Sequence, residues 1–348
     1  MKKIVKQVAG IDVAQKELVV CLGKMYEGQD IDLCAYKTFA NTAKGFVNFV
    51  SWVNKLTDPS VPVRYVMEAT GVYHESLAYF LDDQGSELTI VLPNKISNYA
   101  KTLDTKTVTD KTASAAIAMF GLERKLDCWK RPKKVYKTLR QLSRERGQVI
   151  DQRTMSKNQL HAEAAEAYPN KSTLDRVKKL ITLLNKQEKE ITAEIAEVIN
   201  REQKLKNSVA LLKSIPGVGV LTAAVVLAET NDFELVRNKR QLTSYAGLDV
   251  KEKQSGTSVR GKAKISKKGN KYLRKALHLP ALTAIRHDQR FKSVFIRLVS
   301  KHGIKMKAVV AVQRKLLEMM YTIYKSQQPY DKKYLQNNEE ELIQQEII

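Results

Sequence analysis

The order of the apolar runs near the N-terminus constrains the fold of this chain more than any other feature of its sequence. Three short runs rich in β-branched and aromatic residues come first, then a helical pattern that Thr42 can cap, and then strands that alternate with helices. The predicted strands are residues 4–13, 17–23, about 33–39, 63–68 and 88–92, and the predicted helices are the one after Thr42 and those at about 73–83, 94–103 and 109–122.

Three hairpin-connected strands followed by alternating helix and strand are the order of a ribonuclease-H-like α/β domain, in which the first and fourth strands are neighbours. Each of these two strands ends in a carboxylate, Asp12 in the first and Glu68 in the fourth. An apolar strand that suddenly presents an acid places it at the edge of the sheet. Taken alone, either acid is more often a helix cap or an ion-pair partner. As a pair, they predict a shared Mg²⁺ ion, because this ion prefers oxygen ligands.

A third acid, Asp110, opens the predicted helix at Thr109-Asp110-Lys111-Thr112. Judged from the residues alone, it is equally well an acid favoured at a helix N-terminus by the helix dipole. Asp104 lies nearby and could take its place if the helix began earlier.

The chain is strongly basic, with 60 Lys and Arg against 37 Asp and Glu among 348 residues, a formal net charge of +23. Such an excess attracts polyanions, because each phosphate that is neutralised releases counterions.

The hydrophobic content of 43% is too high for wholesale disorder. Three scattered cysteines without metal-ligand spacing indicate reduced thiols in a cytoplasmic protein. No apolar stretch is long enough for a transmembrane helix, so we expect no membrane partner.

Arg131-Pro132-Lys133-Lys134 marks a predicted domain boundary, after which come two long polar helices, at about 134–167 and 172–206. In the second helix, apolar residues recur at alternating steps of three and four, and Glu188 and Glu202 occupy the two remaining seam positions. This heptad pattern predicts a coiled-coil helical hairpin or an oligomer contact. The predicted domains are residues 1–132, the hairpin at 133–206, a mainly helical domain at 207–330 and a mobile tail at 331–348.

Pro216-Gly217-Val218-Gly219 lies between two apolar helical stretches and resembles a helix-hairpin-helix turn, whose amides at Gly217 and Gly219 can hold a phosphate. An ordinary tight turn between helices explains the same residues equally well. Further helices are predicted at about 238–246, 270–286 and 305–326.

The segment from Arg237 to Lys275 contains 13 Lys or Arg residues against two acids. Glycines within it permit close approach to a phosphate, and a serine there could attack phosphorus and hold DNA as a phosphoserine. Basic side chains could stabilise the charge that develops during the transfer. The residues alone do not choose among Ser255, Ser258 and Ser266, and a phosphate-binding loop is the simpler interpretation. The candidate nucleic-acid contacts in this segment are Arg260, Lys262, Lys267, Lys268 and Arg274.

Several short motifs, weak singly and specific in their order and spacing, resemble one family of enzymes. They are Gly10-Ile11-Asp12, Glu68-Ala69-Thr70-Gly71, Ser214-Ile215-Pro216-Gly217-Val218-Gly219, Tyr245-Ala246-Gly247-Leu248, Ser255-Gly256 and Ser266-Lys267-Lys268-Gly269-Asn270. The family is that of the insertion-sequence transposases which pair a DEDD, RuvC-like domain with a C-terminal serine domain, a group that also contains the Piv DNA invertases. The resemblance covers the chain from Gly10 to about Tyr330.

The resemblance implies that Asp12, Glu68 and Asp110 are the first three acids of the family's tetrad and that Ser255 is its nucleophile. It also implies recombination of donor and target DNA, guided by a structured bridge RNA, in a homo-oligomer of two to four subunits. One position departs from the family: the fourth acid should lie three residues after Asp110, where this chain has Ala113. The alternatives are therefore a metal-dependent nuclease of the Holliday-junction-resolvase type, or a nucleic-acid-binding protein with a decayed site.

Overall fold

The computed structural model describes residues 3–69, 71–103, 107, 109–252, 254–255, 259–261 and 264–332. The chain divides into two compact units, residues 1–131 and 132–348. The finer division of the second unit at 206/207 stays a prediction, and most of the tail predicted to be mobile lies outside the described residues.

The N-terminal unit is built on a five-stranded mixed sheet. Its strands are β1 (Ile4–Val13), β2 (Glu17–Tyr26), β3 (Ile31–Ala40), β4 (Val63–Glu68) and β5 (Glu87–Val91). Their order across the sheet is β3-β2-β1-β4-β5. The first three strands form an antiparallel meander, and β4 pairs in parallel with both β1 and β5. The predicted pairing of the first and fourth strands is confirmed, and the unit is of the α/β class.

Helices cover both faces of this sheet. They are α1 (Ala43–Leu56), α2 (Glu75–Asp83), α3 (Pro93–Ala100) and α4 (Asp110–Glu123). On one face α1 buries Phe46, Phe49 and Val53, and Thr42 caps the helix as predicted, accepting a hydrogen bond from the Gly45 amide at 3.3 Å. On the other face α4 buries Ile117 and Leu122 in a second apolar cluster.

Helix α4 lies unusually close to strand β1, because small residues meet where the two elements cross. A Cβ atom on Gly10 would lie 2.3 Å from the Ala118 nitrogen, and one on Gly121 would lie 2.7 Å from Cγ1 of Val8. The same residue pairs show that α4 runs antiparallel to β1, since Val8 meets the end of the helix and Gly10 meets its middle. The first turn of α4 therefore lies over the carboxyl end of β1.

The C-terminal unit begins with two long helices, α5 (Lys134–Ala164) and α6 (Lys171–Arg201). They pack against each other, and the predicted seam position Glu188 accepts hydrogen bonds from Arg146 and Arg153 of α5. The predicted continuation of the second helix to residue 206 is wrong. Glu202 has an extended backbone, with φ −121° and ψ 110°, and separates α6 from the next helix.

The remaining elements of this unit are mostly helical. They are α7 (Gln203–Lys213), α8 (Val220–Thr230), α9 (Lys239–Tyr245), α10 (Lys271–Ala276), α11 (His278–His287), α12 (Gln289–His302) and α13 (Lys305–Ser326), with β6 (Val250–Lys251), β7 (Gln254–Ser255), β8 (Val259–Arg260) and β9 (Lys264–Ile265). The helix predicted at 270–286 is divided at Leu277 into α10 and α11. Helix α12 was not predicted, although its apolar residues recur at helical spacing from Phe291 to Val299; Phe291 is its one buried residue.

None of the helices in the part of the chain that the structure describes is both long and apolar enough to cross a membrane.

The close contact between α4 and β1 predicts a stability cost for any side chain at position 10. Gly10→Ala should lower the free energy of unfolding of the N-terminal unit by about 1–3 kcal/mol, because the new methyl group meets backbone atoms that cannot rotate away. Denaturant unfolding followed by circular dichroism measures the change. Gly28→Ala is the matched control, since its nearest neighbour would be the Asp30 carboxylate at 3.7 Å, and it should change stability by less than about 0.5 kcal/mol. Equal stabilities for the two variants would contradict the prediction.

Candidate functional site

Asp12 and Glu68 lie side by side at the carboxyl ends of two paired strands. The last matched pair between β1 and β4 is Ile11 with Met67, so each acid follows by one residue at the same level of the sheet. Side chains alternate between the faces of a strand. Gly10 faces α4, and so does Val66, whose side chain lies 2.9 Å from the position of a Gly121 Cβ. The two acids, each two residues further along, therefore face α4 as well.

Asp110 reaches the same edge from a different element. It is the first residue of α4, and Thr109 caps the helix by accepting a hydrogen bond from the Thr112 amide at 3.2 Å. Because the first turn of α4 lies over the end of β1, this cap directs Asp110 towards Asp12. Asp104, the alternative acid, lies outside the described residues.

The three carboxylates interact electrostatically. The pKa of Asp12 is raised, first by its burial and then by the negative charges of Asp110 and Glu68, while a backbone hydrogen bond at Val13 acts in the opposite direction. Like charges that raise a pKa in this way favour a bound cation, and the carboxylate oxygens are the ligands that a hard divalent ion prefers.

The same carboxylates are not drawn tightly together. Within the described residues, no group of three or more His, Cys, Asp or Glu side chains is close enough to enclose a metal ion. The raised pKa of Asp12 is consistent with carboxylates that do not yet enclose an ion. Repulsion between charges acts over several ångströms, whereas a Mg²⁺–oxygen bond is about 2.0–2.1 Å long. In chemistry and in placement the three acids fit a divalent ion, which would have to bring them closer.

Ala113 occupies the place of the missing fourth acid. It is half-buried in α4, one turn after Asp110, and its amide donates to the Thr109 carbonyl at 2.8 Å. Residues three apart lie on the same face of a helix. The methyl group of Ala113 therefore points from the same helix face as Asp110 and supplies no ligand.

The edge of the sheet that carries Asp12 and Glu68 is called the acidic edge. The turns around it are joined by one amide side chain that the sequence did not predict. Asn41 Nδ2 donates to the carbonyls of Ala14 at 2.9 Å and Tyr73 at 3.2 Å. It thereby joins the β1–β2 turn to the loop that follows Glu68. Two apolar side chains of that loop remain outward, with Val72 69% exposed and Tyr73 44% exposed. The sequence contained one signal for this loop, the aromatic residue Tyr73 a few positions after Glu68.

The basic segment forms short strand pairs where the sequence suggested a loop. Strand β6 pairs with β9, and β7 pairs with β8, so that Ser255 stands opposite Val259 and Arg260 stands opposite Gln254. The predicted residue Lys262 and the alternative nucleophile Ser258 lie outside the described residues.

The other predicted residues of this segment have definite partners. The hydroxyl of Ser266 donates to the Asp249 carboxylate at 2.5 Å, which occupies it within the fold. Arg274 Nη1 donates to the carbonyls of Ala246 at 2.7 Å and Gly269 at 3.2 Å, so this predicted phosphate contact also fastens two turns. Lys267 and Lys268 are exposed.

A buried ion pair anchors the end of the basic segment, and the sequence offered no signal for it. Glu229 is 1% exposed, and its carboxylate accepts two hydrogen bonds from Arg144 of α5, both at 2.8 Å. Asn270 Nδ2 donates to the same carboxylate at 2.6 Å, and Asn270 also caps α10. The Arg144 guanidinium lies 4.4 Å from the centre of the Tyr272 ring. Elements far apart in sequence are thus fixed by one carboxylate.

The turn at Pro216–Gly219 is specialised for packing. Gly217 has φ +89°, a conformation that favours glycine, and a Cβ atom on it would lie 2.4 Å from the Pro280 carbonyl oxygen of α11. Gly219 precedes α8, and the space around it is open. Phosphate binding by Gly217 and Gly219 stays a prediction.

Comparisons of the sequence with family models and with known proteins indicate one group of enzymes. A family described as "Transposase IS116/IS110/IS902 family" matches residues 209–295, and the family of DEDD transposases of the IS110 type matches residues 9–169. The pilin gene-inverting protein of Moraxella bovis is 29% identical over 337 residues, 94% of this chain and 98% of that protein. The transposase for insertion sequence element IS1111A of Coxiella burnetii is 30% identical over 154 residues, 42% of this chain and 41% of that protein. Among solved structures, T. thermophilus RuvC in complex with a Holliday junction substrate matches 32% of this chain and 90% of its own chain, with a TM-score of 0.26 and 10% identity.

The raised pKa of Asp12 predicts how stability depends on pH. A carboxyl group whose pKa is higher in the folded state favours folding when protonated, and this contribution is lost as pH rises through the folded pKa. Without divalent ions, Asp12→Asn should therefore be more stable than the parent at pH 7, and the difference should shrink as pH falls towards about 4, near the pKa of an unfolded aspartate. Thermal unfolding between pH 4 and 8 tests this.

Asp58→Asn is the control for that experiment. Hydrogen bonds from Ser60 lower the pKa of Asp58, so its ionised form stabilises the fold above the unfolded pKa and loses that effect as pH falls. The two variants should therefore change stability at pH 7 in opposite directions. A destabilised Asp12→Asn variant at pH 7 would refute the electrostatic description of the acidic edge.

The buried ion pair makes a separate prediction. Arg144→Met leaves the Glu229 carboxylate buried without its cation and should lower the free energy of unfolding by about 3–5 kcal/mol. Arg144→Met combined with Glu229→Gln should recover most of that loss, because the buried charge is gone. Arg201→Met removes an exposed pair with Glu197 and should cost less than about 0.5 kcal/mol. Denaturant unfolding of the three variants measures the differences, and a mild effect of Arg144→Met would contradict the assignment.

Proposed function

This chain belongs to the IS110 family of transposases and is a DNA-recombining enzyme, and from that premise we propose that it cleaves and rejoins DNA through a covalent link to Ser255. The observation that carries the proposal is the electrostatic coupling of Asp12 to Asp110 and Glu68 at one edge of the sheet. Three acids from distant positions in the sequence lie there within electrostatic range of one another, and a divalent ion that drew them together could assist a reaction on a phosphodiester.

Asp12, Glu68 and Asp110 would hold Mg²⁺. When bound, this ion supplies a positive charge that polarises a phosphodiester oxygen. The role of the protein at this edge is to hold the carboxylates in place through the β1–β4 pairing and the close seat of α4. Asn41 adds to this by fixing the turns that follow both strands.

Ser255 would act as the nucleophile. Its hydroxyl oxygen forms a bond to phosphorus as its proton is lost, and the bond from phosphorus to a neighbouring deoxyribose oxygen breaks. That oxygen takes up a proton and leaves as a free DNA hydroxyl. Attack by the hydroxyl of a different DNA end reverses the step, so the strands are rejoined without a high-energy cofactor. The support is the family membership together with the resemblance of Ser255-Gly256 to the motif that carries the nucleophile in that family.

Basic side chains would neutralise the phosphates around Ser255. Arg260 lies in β8, the partner strand of the serine, and the exposed residues Lys267 and Lys268 follow β9. Lys262, outside the described residues, adds a further charge to the same segment. Cations placed beforehand near a reacting phosphate lower the barrier to its transfer.

We also propose that a structured bridge RNA guides the enzyme to donor and target DNA and that the enzyme works as a homo-oligomer of two to four subunits. The support is the family membership together with the net charge of +23, which suits a protein that binds several nucleic-acid strands at once.

A covalent trapping assay tests the serine mechanism. The protein is incubated with Mg²⁺, the element's terminal RNA and a duplex that spans the junction of its ends, and is then denatured and examined for DNA-linked protein. The parent and Ser258→Ala should form an adduct whose linked peptide contains Ser255, whereas Ser255→Ala should form none and should cut no DNA. Asp12→Asn should reduce the adduct by at least about 100-fold, since removing one ligand of a catalytic site commonly costs two or more orders of magnitude.

Two other outcomes would overturn the proposal. Cleavage by Ser255→Ala at the parental rate would identify a nuclease in which water attacks. If neither the parent nor Ala113→Asp forms an adduct or cuts DNA with any divalent ion, the chain is a nucleic-acid-binding protein. An adduct formed only by Ala113→Asp would show that the missing fourth acid limits the reaction.

A further inference from the structure

A groove of about 510 Å³ lies between strand β3 and helix α1 in the N-terminal unit. Three lysines line it, Lys37 from the strand and Lys44 and Lys55 from the helix. Phe39 and Trp52 line it as well, and their rings meet edge to face with centroids 5.6 Å apart. The groove is distinct from the acidic site, because α1 and α4 cover opposite faces of the sheet.

The fold balances the positive charge of this groove only in part, through the Phe39 ring 5.4 Å from Lys37 and the negative end of the α1 dipole beside Lys55. All three lysines are exposed, and among the residues that the structure describes none of them forms an ion pair. The first turn of α1 contains no acid, so the positive end of the helix dipole adds to the charge of Lys44. Like charges gathered without partners destabilise a fold, and a bound polyanion relieves that cost.

The spacing of the lysines fits a chain of phosphates. Lys44 and Lys55 are eleven residues apart on one helix, which is about 16 Å at 1.5 Å per residue. At about 3.4 Å for each nucleotide step in a duplex strand, this length covers about five phosphates, and fewer in an extended strand. Lysines on an edge strand also prevent sheets from pairing edge to edge. That role would account for Lys37, and the helix dipole favours Lys55 in the last turn of α1, but neither accounts for Lys44.

The aromatic side of the groove favours unpaired bases. Trp52 is half-buried and leaves part of its ring at the groove, where an indole can stack on a base. A base within a duplex is already stacked on both sides, so this contact selects a single strand. Asn48 and Ser51 are exposed along the same wall and offer hydrogen bonds to phosphate or sugar oxygens.

One end of the groove lies at the same end of the sheet as the acids, although on the opposite face. Strands β1 and β3 both run antiparallel to β2, so the Ala40 end of β3 and the Asp12 end of β1 share one edge. Asn41, which follows Ala40, donates to the Ala14 carbonyl beside that edge. Gly45 allows the first turn of α1 to close onto the strand, since a Cβ atom there would lie 1.9 Å from the Ala40 carbonyl oxygen.

We propose that the groove between β3 and α1 binds a single DNA strand, whose phosphates pair with Lys37, Lys44 and Lys55, whose bases stack on Trp52, and whose path leads to the acidic edge. This inference rests on the proposed function for its choice of DNA, since the acids at the same end of the sheet, on its other face, are those that would process a DNA phosphodiester.

Binding of a fluorescent 20-nucleotide single-stranded DNA to the full chain tests the charge of the groove. Lys37→Ala, Lys44→Ala and Lys55→Ala together should weaken binding at least about tenfold and reduce the slope of log K against log salt by about 2, since each phosphate contact in a single strand contributes about 0.7. The control combines Lys3→Ala, Lys125→Ala and Lys130→Ala, which remove the same charge from exposed positions outside the groove. Its binding should change less than about threefold. Circular dichroism verifies that both variants are folded.

Fluorescence locates the strand, because Trp52 and Trp129 are the two tryptophans of the chain. In Trp129→Phe the emission comes from Trp52 and should be quenched when single-stranded DNA binds. In Trp52→Phe the emission comes from Trp129, which packs on Tyr79, and should not change. Quenching that persists in the variant without the three groove lysines would overturn the proposal, as would equal weakening of binding by both lysine sets.

The result separates this inference from the proposed function. In the parent, binding of the strand should depend on the groove lysines even if no covalent adduct is ever found. Conversely, an adduct formed at the parental rate by the folded groove variant, with unchanged binding, would reject the groove and leave the serine mechanism standing. Binding of an RNA of the same sequence at least about tenfold more tightly than DNA, with the same lysine dependence, would overturn the assignment to DNA.

Discussion

The acidic site depends on the close packing of helix α4 against strand β1. Gly10 and Gly121 remove the side chains that would otherwise hold helix and strand apart. Because α4 runs antiparallel to β1, the capped first turn carrying Asp110 comes to lie over the end of the strand that carries Asp12. Protein interiors are close-packed, so a displacement of α4 would be transmitted to its neighbours, because no voids are available to accommodate it. A shift of α4 would thus separate the carboxylates without touching any of them.

Each unit of this protein gathers charge at a cost to its own stability. In the first unit the carboxylates at the acidic edge repel one another, which raises the pKa of Asp12, and three lysines share a groove without acidic partners. In the second unit the buried acid Glu229 accepts hydrogen bonds from Arg144 and from Asn270 of the basic segment. A folded chain keeps such arrangements where a ligand of opposite charge stabilises them. Mg²⁺ at the acids and nucleic acid at the lysines are ligands of that kind.

Local patterns predicted the elements well and their ends less well. Alternation, periodicity and capping residues predicted the five strands, the Thr42 cap and the helix beginning at Asp110. The predicted ends of these elements lie within a few residues of the observed ends. The break at Glu202 was missed because the heptad pattern continues across it, and α12 was missed although its apolar residues recur at helical spacing. Asn41 and the Glu229–Arg144 pair were missed for a different reason. Their partners lie tens of residues away, and no local pattern records such a pair.

By itself, the sequence determined that the chain forms an α/β unit followed by a mainly helical one, that Asp12 and Glu68 end neighbouring strands, and that much of the positive charge lies between Arg237 and Lys275. These properties depend on residue type and on spacing along the chain, which a sequence contains directly. The tertiary structure alone decided that Asp110 reaches the other acids, that Ser266 and Arg274 have partners within the fold, and that Lys37, Lys44 and Lys55 share one groove. Those properties depend on which surfaces meet after folding. Which surfaces meet is determined by the packing of side chains from segments that are distant in the sequence.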